Sequence, residues 1–243
     1  MLRLDQTLVD RGLCESRERA KRAILAGQVR LNSRVAQKPS DPASAADDIV
    51  LAAGQKFVSR GGYKLEQALD AFHLDVTGMI ALDIGASTGG FTDCLLQRGA
   101  RQVFAVDVGR GQLAWKLRLD PRVVVMEKTN ARYLRPEQFP QPADLAVVDC
   151  SFISLRKILP PAVALLKGQG RIVALVKPQF EAGKPEADRG RGVIRDASVH
   201  ARILEELRQF TDAQRGLNWR GLVESPLLGP AGNKEFLVLI EKL

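Results

Sequence analysis

The sequence predicts an α/β protein: a doubly wound parallel sheet ending in an antiparallel strand, preceded by a small α+β domain. Three observations predict it. From Met79 onward, apolar runs of strand length recur, with helix-length segments between most of them, the alternation that builds a parallel sheet with crossover helices. Before residue 60 the pattern differs, with two short amphipathic helical stretches followed by brief β segments. The 243 residues are 45% hydrophobic and 26% charged, enough to bury a core and unlike a disordered or fibrous chain.

In the first region, Leu4, Leu8 and Val9 mark a helix stopped by Gly12. Ser16 caps a second helix, whose apolar face carries Ala20, Ile24 and Leu25 before Gly27. Strands are expected at Val29–Leu31, at Val35 after an Asn32-Ser33 turn, and at Ile49–Leu51 after the Asp/Pro/Ala/Ser-rich stretch 39–48. Residues 55–63, QKFVSRGGY, read as a junction, giving domains 1–58 and 59–243. Beyond it, strands follow at MIALDI, QVFAVDV, RVVVM, ADLAVVD and RIVALV, and a helix over 198–215 precedes an antiparallel pair at 217–224 and 235–240.

Lys and Arg number 36 against 28 Asp and Glu, a net charge of +8, and residues 1–40 alone carry net +5. Such a balance suits a polyanionic partner. On the second helix Arg17 and Lys21 are four apart and Arg19 and Arg22 three apart, with Arg30 and Arg34 following, so these cations gather on one surface; a plain solvated face is the competing reading. The longest apolar runs have five residues, as at Ile172–Val176, far short of the roughly 20 of a membrane span. No signal-peptide pattern is present, which points to a cytoplasmic protein. Cys14, Cys94 and Cys150 are too scattered for a disulfide framework or a thiolate metal site, so no structural metal is expected.

The pattern S-R-x-x-A-x-x-x-I-x-x-G-x-V-x-x-N over residues 16–32 resembles the RNA-binding module named for ribosomal protein S-four. That resemblance implies RNA contacts at Ser16, Arg17, Arg19, Lys21, Arg22, Arg30 and Asn32, mostly to phosphate.

In open α/β sheets, ligands bind beyond the carboxyl ends of the strands. There, Asp83 and Gly85 lead through Ser87, Thr88, Gly89 and Gly90 to Phe91, and Asp107 ends the next strand 22 residues after Gly85, the spacing at which an acid meets ribose hydroxyls. Neither G-x-G-x-x-G nor G-x-x-x-x-G-K-[ST] occurs at this turn, so the phosphate cradles of dinucleotide and triphosphate sites are missing. The D-x-G-x-x-x-G-G form resembles the S-adenosylmethionine site of methyltransferases. The resemblance implies that Asp83 helps hold the methionine ammonium, directly or through water, Asp107 the ribose, and Asn130 the adenine side.

Four further charges stand at or near strand ends: Lys64 in S-R-G-G-Y-K-L, Asp149 in V-D-C-S-F-I-S, Lys177 in L-V-K-P-Q-F-E and Glu235 in G-N-K-E-F. Their order resembles the Lys-Asp-Lys-Glu tetrad of the FtsJ-like ribose 2′-O-methyltransferases, and with the first domain the whole chain resembles the TlyA family of ribosomal RNA methyltransferases. That resemblance implies 2′-O-methylation of cytidine in ribosomal RNA, with ribosomal subunits as partners. A sugar hydroxyl must lose its proton to attack a methyl group. An ordinary lysine, with a pKa of about 10.4, is well under 1% neutral at pH 7; a second ammonium close by can supply part of the shift that frees one, with desolvation adding to it. On this basis Lys177 is assigned as base, Asp149 as its orienter, Lys64 as a steering or oxyanion-stabilising cation and Glu235 as support.

Rival readings are a cysteine nucleophile at Cys150, an RNA-binding assembly factor without turnover, and a haemolysin-like membrane activity, against which the lack of a strongly apolar amphipathic segment argues. The Gly/Pro-rich segment 181–196 reads as a mobile loop, either an RNA clamp or a plain surface loop. Trp115, Trp219, His73 and His200 are expected to pack rather than to bind.

Overall fold

The computed structural model describes residues 2–25, 27–51, 56–183, 186, 190 and 192–243. The chain divides into two compact units, Met1–Lys56 and Phe57–Leu243.

The smaller unit contains β1 (Leu2–Arg3), α1 (Leu4–Asp10), α2 (Arg17–Leu25), β2 (Val29–Leu31), β3 (Arg34–Val35), β4 (Pro42–Ala43) and β5 (Ile49–Leu51). Strands β3, β2 and β5 form an antiparallel sheet in that order, and β1 pairs with β4. Leu4 and Leu8 of α1, Ala20 and Ile24 of α2, and Val29, Leu31 and Ile49 of the strands make one buried cluster, so both helices turn their apolar stripes toward the ribbon.

The larger unit contains α3 (Gly61–Ala71), β6 (Ile80–Ile84), α4 (Gly90–Gln97), β7 (Gln102–Val106), α5 (Trp115–Arg118), β8 (Val123–Met126), β9 (Ala143–Val148), α6 (Leu159–Ala164), β10 (Leu166–Val176), α7 (Pro178–Glu181), α8 (Ala197–Asp212), β11 (Leu217–Glu224) and β12 (Phe236–Lys242). The sheet order is β11-β12-β10-β9-β6-β7-β8. Strands β10, β9, β6, β7 and β8 are mutually parallel, and β12 enters antiparallel between β10 and β11. Side chains alternate cleanly between two cores. Leu82, Val106, Val148, Ala174 and Val238 pack on one face, and Ala81, Ala105, Val147, Leu175 and Leu237 on the other, so both faces of the sheet are covered, as a parallel sheet requires.

Several elements differ from the sequence expectation. Gln55 lies outside the described residues and Lys56 belongs to the smaller unit, but the expected junction from Phe57 onward belongs to the larger unit: Phe57 is 2% exposed, with its ring 5.1 Å from Tyr63, and α3 begins at Gly61. Two glycines are poor helix formers. Gly62 is required here because a Cβ would drive into the Phe57 side chain. Strand β10 starts at Leu166 rather than near Arg171, across a register irregularity with Gln169 at φ 62°. Trp115 is 71% exposed although Leu113 and Leu117 around it are buried, and His73 is an exposed left-handed residue (φ 50°) closing α3. His200, by contrast, is buried against Phe236. Among the described residues, no helix is long and apolar enough to cross a membrane.

Candidate active site

Strand order reverses between β6 and β9, whose neighbours run off in opposite directions, and at such a switch point a crevice opens beyond the strand ends. The turn after β6 shapes it. Gly85 has φ +90° and a Cβ there would lie 2.6 Å from the Asp149 carbonyl oxygen, so only glycine lets the chain pass the end of β9. The Gly85 and Ala86 amides donate to the Val106 carbonyl (2.9 and 3.1 Å). Ser87 is held in the left-handed region (φ 48°), and its amide donates to Asp107 Oδ2 at 2.8 Å. Asp107 Oδ1 accepts from the Gly109 amide at 2.6 Å, so the carboxylate is fixed by backbone on both sides and keeps lone pairs for a ligand.

Two adjoining cavities result. The smaller, about 190 Å³, is lined by Lys64, Asp83, Thr88, Gly90, Asp149 and Lys177, among others. The larger, about 500 Å³, is lined by Asp107, Asn130, Cys150 and Phe152, among others. Gly85, Ser87, Asp149 and Ser151 line both, so the two meet along the strand ends.

Asp83 is fully buried at the floor of the smaller cavity. Its Oδ2 accepts from the Thr92 amide (2.9 Å) and hydroxyl (2.6 Å), while Oδ1 has no hydrogen-bond partner. Burial pushes this carboxyl up to about 7, with Asp149 and Asp107 adding to the rise and Thr92 opposing it. A buried oxygen left without a donor beside an open cavity is chemically an acceptor awaiting a cation.

The tetrad residues form two ion pairs. Lys64, in the first turns of α3, has its Nζ 2.5 Å from Glu235 Oε2, and the two side chains are only 10% and 1% exposed. Glu235 does not line the smaller cavity and reaches it through Lys64; its Oε1 occupies space left by Gly229, where a Cβ would come within 2.5 Å. Lys177, directly after β10, has its Nζ 2.6 Å from Asp149 Oδ1 and donates a hydrogen bond to Ser151 Oγ at 2.9 Å. Lys64, Asp149 and Lys177 thus share one cavity, each cation matched by its own carboxylate. Lys64 reaches the rim from a helix rather than from a strand end, unlike the other two.

Among the remaining expected ligand residues, Thr88 and Gly90 line the smaller cavity and Asn130 the larger, where the Asn130 side chain also accepts from the Arg132 amide at 3.1 Å. Phe91 borders the smaller cavity but is mostly core. Gly89 lines neither; at φ +93° it starts α4 against Leu113 and Leu117. Cys150 packs against the core with its Sγ 3.6 Å from the Ile84 carbonyl, and burial pushes its thiol up to about 12, which removes it as a nucleophile near neutral pH. No metal-ligating cluster occurs among the described residues.

In the smaller unit, the seven expected contacts are not equally available. Arg17 bonds the buried Asp5 (3.2 Å), whose carboxyl is held below its ordinary value chiefly by Arg3. Arg19 pairs with Glu15 (3.1 Å), Lys21 lies 3.9 Å from Glu18, and Arg30 donates to the Ser33 carbonyl (3.1 Å). Arg22 is exposed at the end of α2 with no ion-pair partner among the described residues. Ser16 is engaged with the Arg19 amide at 3.3 Å. Asn32 uses both ends of its amide within the unit, donating to Asp47 (3.0 Å) and accepting from the Asp48 amide (2.9 Å), so it shapes the turn.

Sequence reasoning did not single out Ser151, Ser59 or Glu181. Ser151 lies in the D-C-S-F-I-S string two residues from Asp149, which was the available signal; its contact with Lys177 is visible only in the fold. Ser59 lines the smaller cavity. Glu181 reaches across to the loop after β9, a contact no periodicity announces. Of the segment 181–196, residues 184, 185, 187–189 and 191 lie outside the described residues; at its far end, the Ile194 amide donates to Asn233 Oδ1 (2.9 Å) and Asn233 Nδ2 to the Gly192 carbonyl (2.8 Å).

A Rossmann-like sheet with an inserted antiparallel strand, a switch-point turn without a phosphate cradle, and a Lys-Asp-Lys-Glu cluster define the class as methyltransferase. The FtsJ-like methyltransferase family model matches residues 57–242, and the S4 domain model matches residues 2–49. The chain belongs to the TlyA branch of the FtsJ-like methyltransferase family. The 16S/23S rRNA (cytidine-2′-O)-methyltransferase TlyA of Mycobacterium tuberculosis is 48% identical over 241 residues, covering 97% of this chain and 88% of that protein. Hemolysin A of Brachyspira hyodysenteriae is 41% identical over 238 residues, covering 97% and 98%. A solved structure from Streptococcus thermophilus, provisionally named a hemolysin, matches with TM-score 0.76 at 46% identity, covering 99% of this chain and 88% of that one.

Proposed function

We propose that this protein is a cytoplasmic ribosomal RNA methyltransferase that uses S-adenosylmethionine to methylate a ribose 2′-hydroxyl, on cytidine as its Mycobacterium relative does by name. The observation that carries the reading is the convergence of Lys64, Asp149 and Lys177 on one cavity whose floor is the unpartnered Asp83 Oδ1. The donor set fits the cofactor: Asp83 offers a carboxylate oxygen to the methionine ammonium, Asp107 accepts from ribose hydroxyls, and the larger cavity at Asn130 takes the base. When bound, the cofactor supplies an electrophilic methyl group on sulfonium.

The protein's own groups then manage one proton. Lys177 accepts the 2′-hydroxyl proton at Nζ, while Asp149 and Ser151 aim that nitrogen. Lys64, fixed by Glu235, stabilises the developing alkoxide. Phe152, 90% exposed at the rim of the larger cavity with φ 63°, offers a ring face on which an unstacked base can lie. The cations of the smaller unit, Arg22 foremost, hold RNA phosphates.

The test is transfer of labelled methyl from the cofactor to intact ribosomes, separated subunits and naked RNA, followed by mapping of the mark to sugar or base. The reading predicts a 2′-O mark that Lys177→Ala lowers by about 10²–10⁴-fold. A base-methylated product, or undiminished transfer by that variant, refutes it.

A further inference from the structure

The two segments that carry Asp149 and Lys177 are tied together a second time at their far ends. Glu181, the last residue of α7, accepts a hydrogen bond from Ser154 Oγ at 2.6 Å on Oε2 and from the Leu155 amide at 2.7 Å on Oε1. Burial raises its carboxyl pKa. Between the two ties, Phe152 and Phe180 bring their ring centroids to 5.0 Å. Segments 149–154 and 177–181 therefore close a ring: Asp149 to Lys177 at one end, the two rings in the middle, Glu181 to Ser154 and Leu155 at the other. Ser154 Oγ also accepts from the Arg156 amide (3.2 Å), so the carboxylate end of the ring is anchored to a 3-10 turn (Leu155–Lys157) whose first residue is buried.

We propose that Glu181 is a positioning residue that latches the Lys177 loop to the Asp149 loop, fixing the separation of that ion pair and the presentation of Phe152. The inference rests on the proposed methyl transfer for its kinetic consequence, not for its structural one. Catalytic groups act only within a fraction of an ångström of productive geometry, and a displacement of about 1 Å costs on the order of 10²-fold in rate. Glu181 lines neither cavity, so its influence passes through the two loops.

The variants are Glu181→Ala, Glu181→Gln and Ser154→Ala. Glutamine keeps the latch, since its amide oxygen accepts from the Leu155 amide and its NH₂ donates to Ser154 Oγ. The expected result is a kcat roughly 10–100-fold lower for Glu181→Ala, with cofactor Kd within about twofold of wild type, and a kcat within about threefold for Glu181→Gln. Amide hydrogen exchange supplies the readout independent of turnover: in Glu181→Ala, segments 149–155 and 177–181 speed up together, while β6 and β9 stay protected. Should Glu181→Ala fail to fold, Ser154→Ala breaks the same tie from the other loop without burying or removing a charge, and it is expected to quicken exchange in both segments. Exchange confined to the mutated segment, or equal kcat losses for Glu181→Ala and Glu181→Gln, overturns the latch. Absence of RNA methylation by wild-type protein overturns the functional reading instead, and the exchange result still decides the latch.

Discussion

Asp83→Asn puts the cofactor assignment to its sharpest test, because it moves affinity and stability in opposite directions. Asp83 Oδ1 has no hydrogen-bond partner and burial holds the carboxyl near 7, about three units above its ordinary value of 3.8. At about 1.36 kcal/mol per unit, ionising it in the fold costs on the order of 4 kcal/mol. A group with a raised folded-state pKa contributes stability that is complete below about pH 4 and lost as pH rises through about 7. The wild type should lose stability across that window and the asparagine variant should not, leaving the variant the more stable of the two at pH 8 by thermal melting. Cofactor binding responds the other way. A charge-assisted hydrogen bond from an ammonium to the carboxylate is worth roughly 1.5–3 kcal/mol, so Asp83→Asn should weaken binding about 10–150-fold. Because the ammonium needs the ionised carboxylate, wild-type affinity should fall roughly fivefold from pH 7 to pH 6 and about tenfold per unit below that, with no such slope in the variant. Titration calorimetry with S-adenosylhomocysteine at several pH values measures both. Equal affinities for the two proteins, or a flat wild-type profile, would show that Asp83 does not receive the ammonium.

Four other variants have expected outcomes. Glu235→Gln leaves the Lys64 ammonium enclosed without its counter-charge, a loss of about 3–5 kcal/mol that should lower Tm by roughly 6–20 °C in a scanning melt. Phe152→Ala should leave cofactor affinity within about twofold of wild type yet weaken capture of the target nucleotide by roughly 1–3 kcal/mol, read as a raised KM for RNA. Arg22→Ala should weaken RNA binding at every sequence and reduce the slope of log affinity against log salt by about one, whereas Asn32→Ala should leave that slope unchanged and lower the melting temperature of the smaller unit, since its amide holds Asp47 and Asp48.

The strands that cross the core were legible because each reads as an apolar run, and the acids at their ends, Asp83, Asp107 and Asp149, follow from where those runs stop. Helix α3 was not. Its Gly61-Gly62 start carries a loop-like composition, and only the Phe57 ring packed on Gly62 explains why glycine opens a helix there. The charge pattern of α2 was visible, and so was the i,i+4 spacing of Glu15 and Arg19, but the way Asp5 engages Arg17 depends on tertiary approach and cannot be read from spacing alone. Trp115 misled for a related reason: its neighbours Leu113 and Leu117 are buried, and a short helix turns the residue between them outward. Glu181 shows the limit most plainly, since its hydrogen bonds join loops 26 and 27 residues apart.

The Lys64–Glu235 pair spans 171 residues, and the strand that Glu235 introduces is threaded between two others rather than added at the sheet's margin. A fragment lacking Glu235 and that strand would therefore leave the Lys64 ammonium without its counter-charge and β10 with an open flank. Pairing of Lys64 and completion of the sheet are thus one event on this topology, whereas the Asp149–Lys177 pair needs only β9 and β10 side by side.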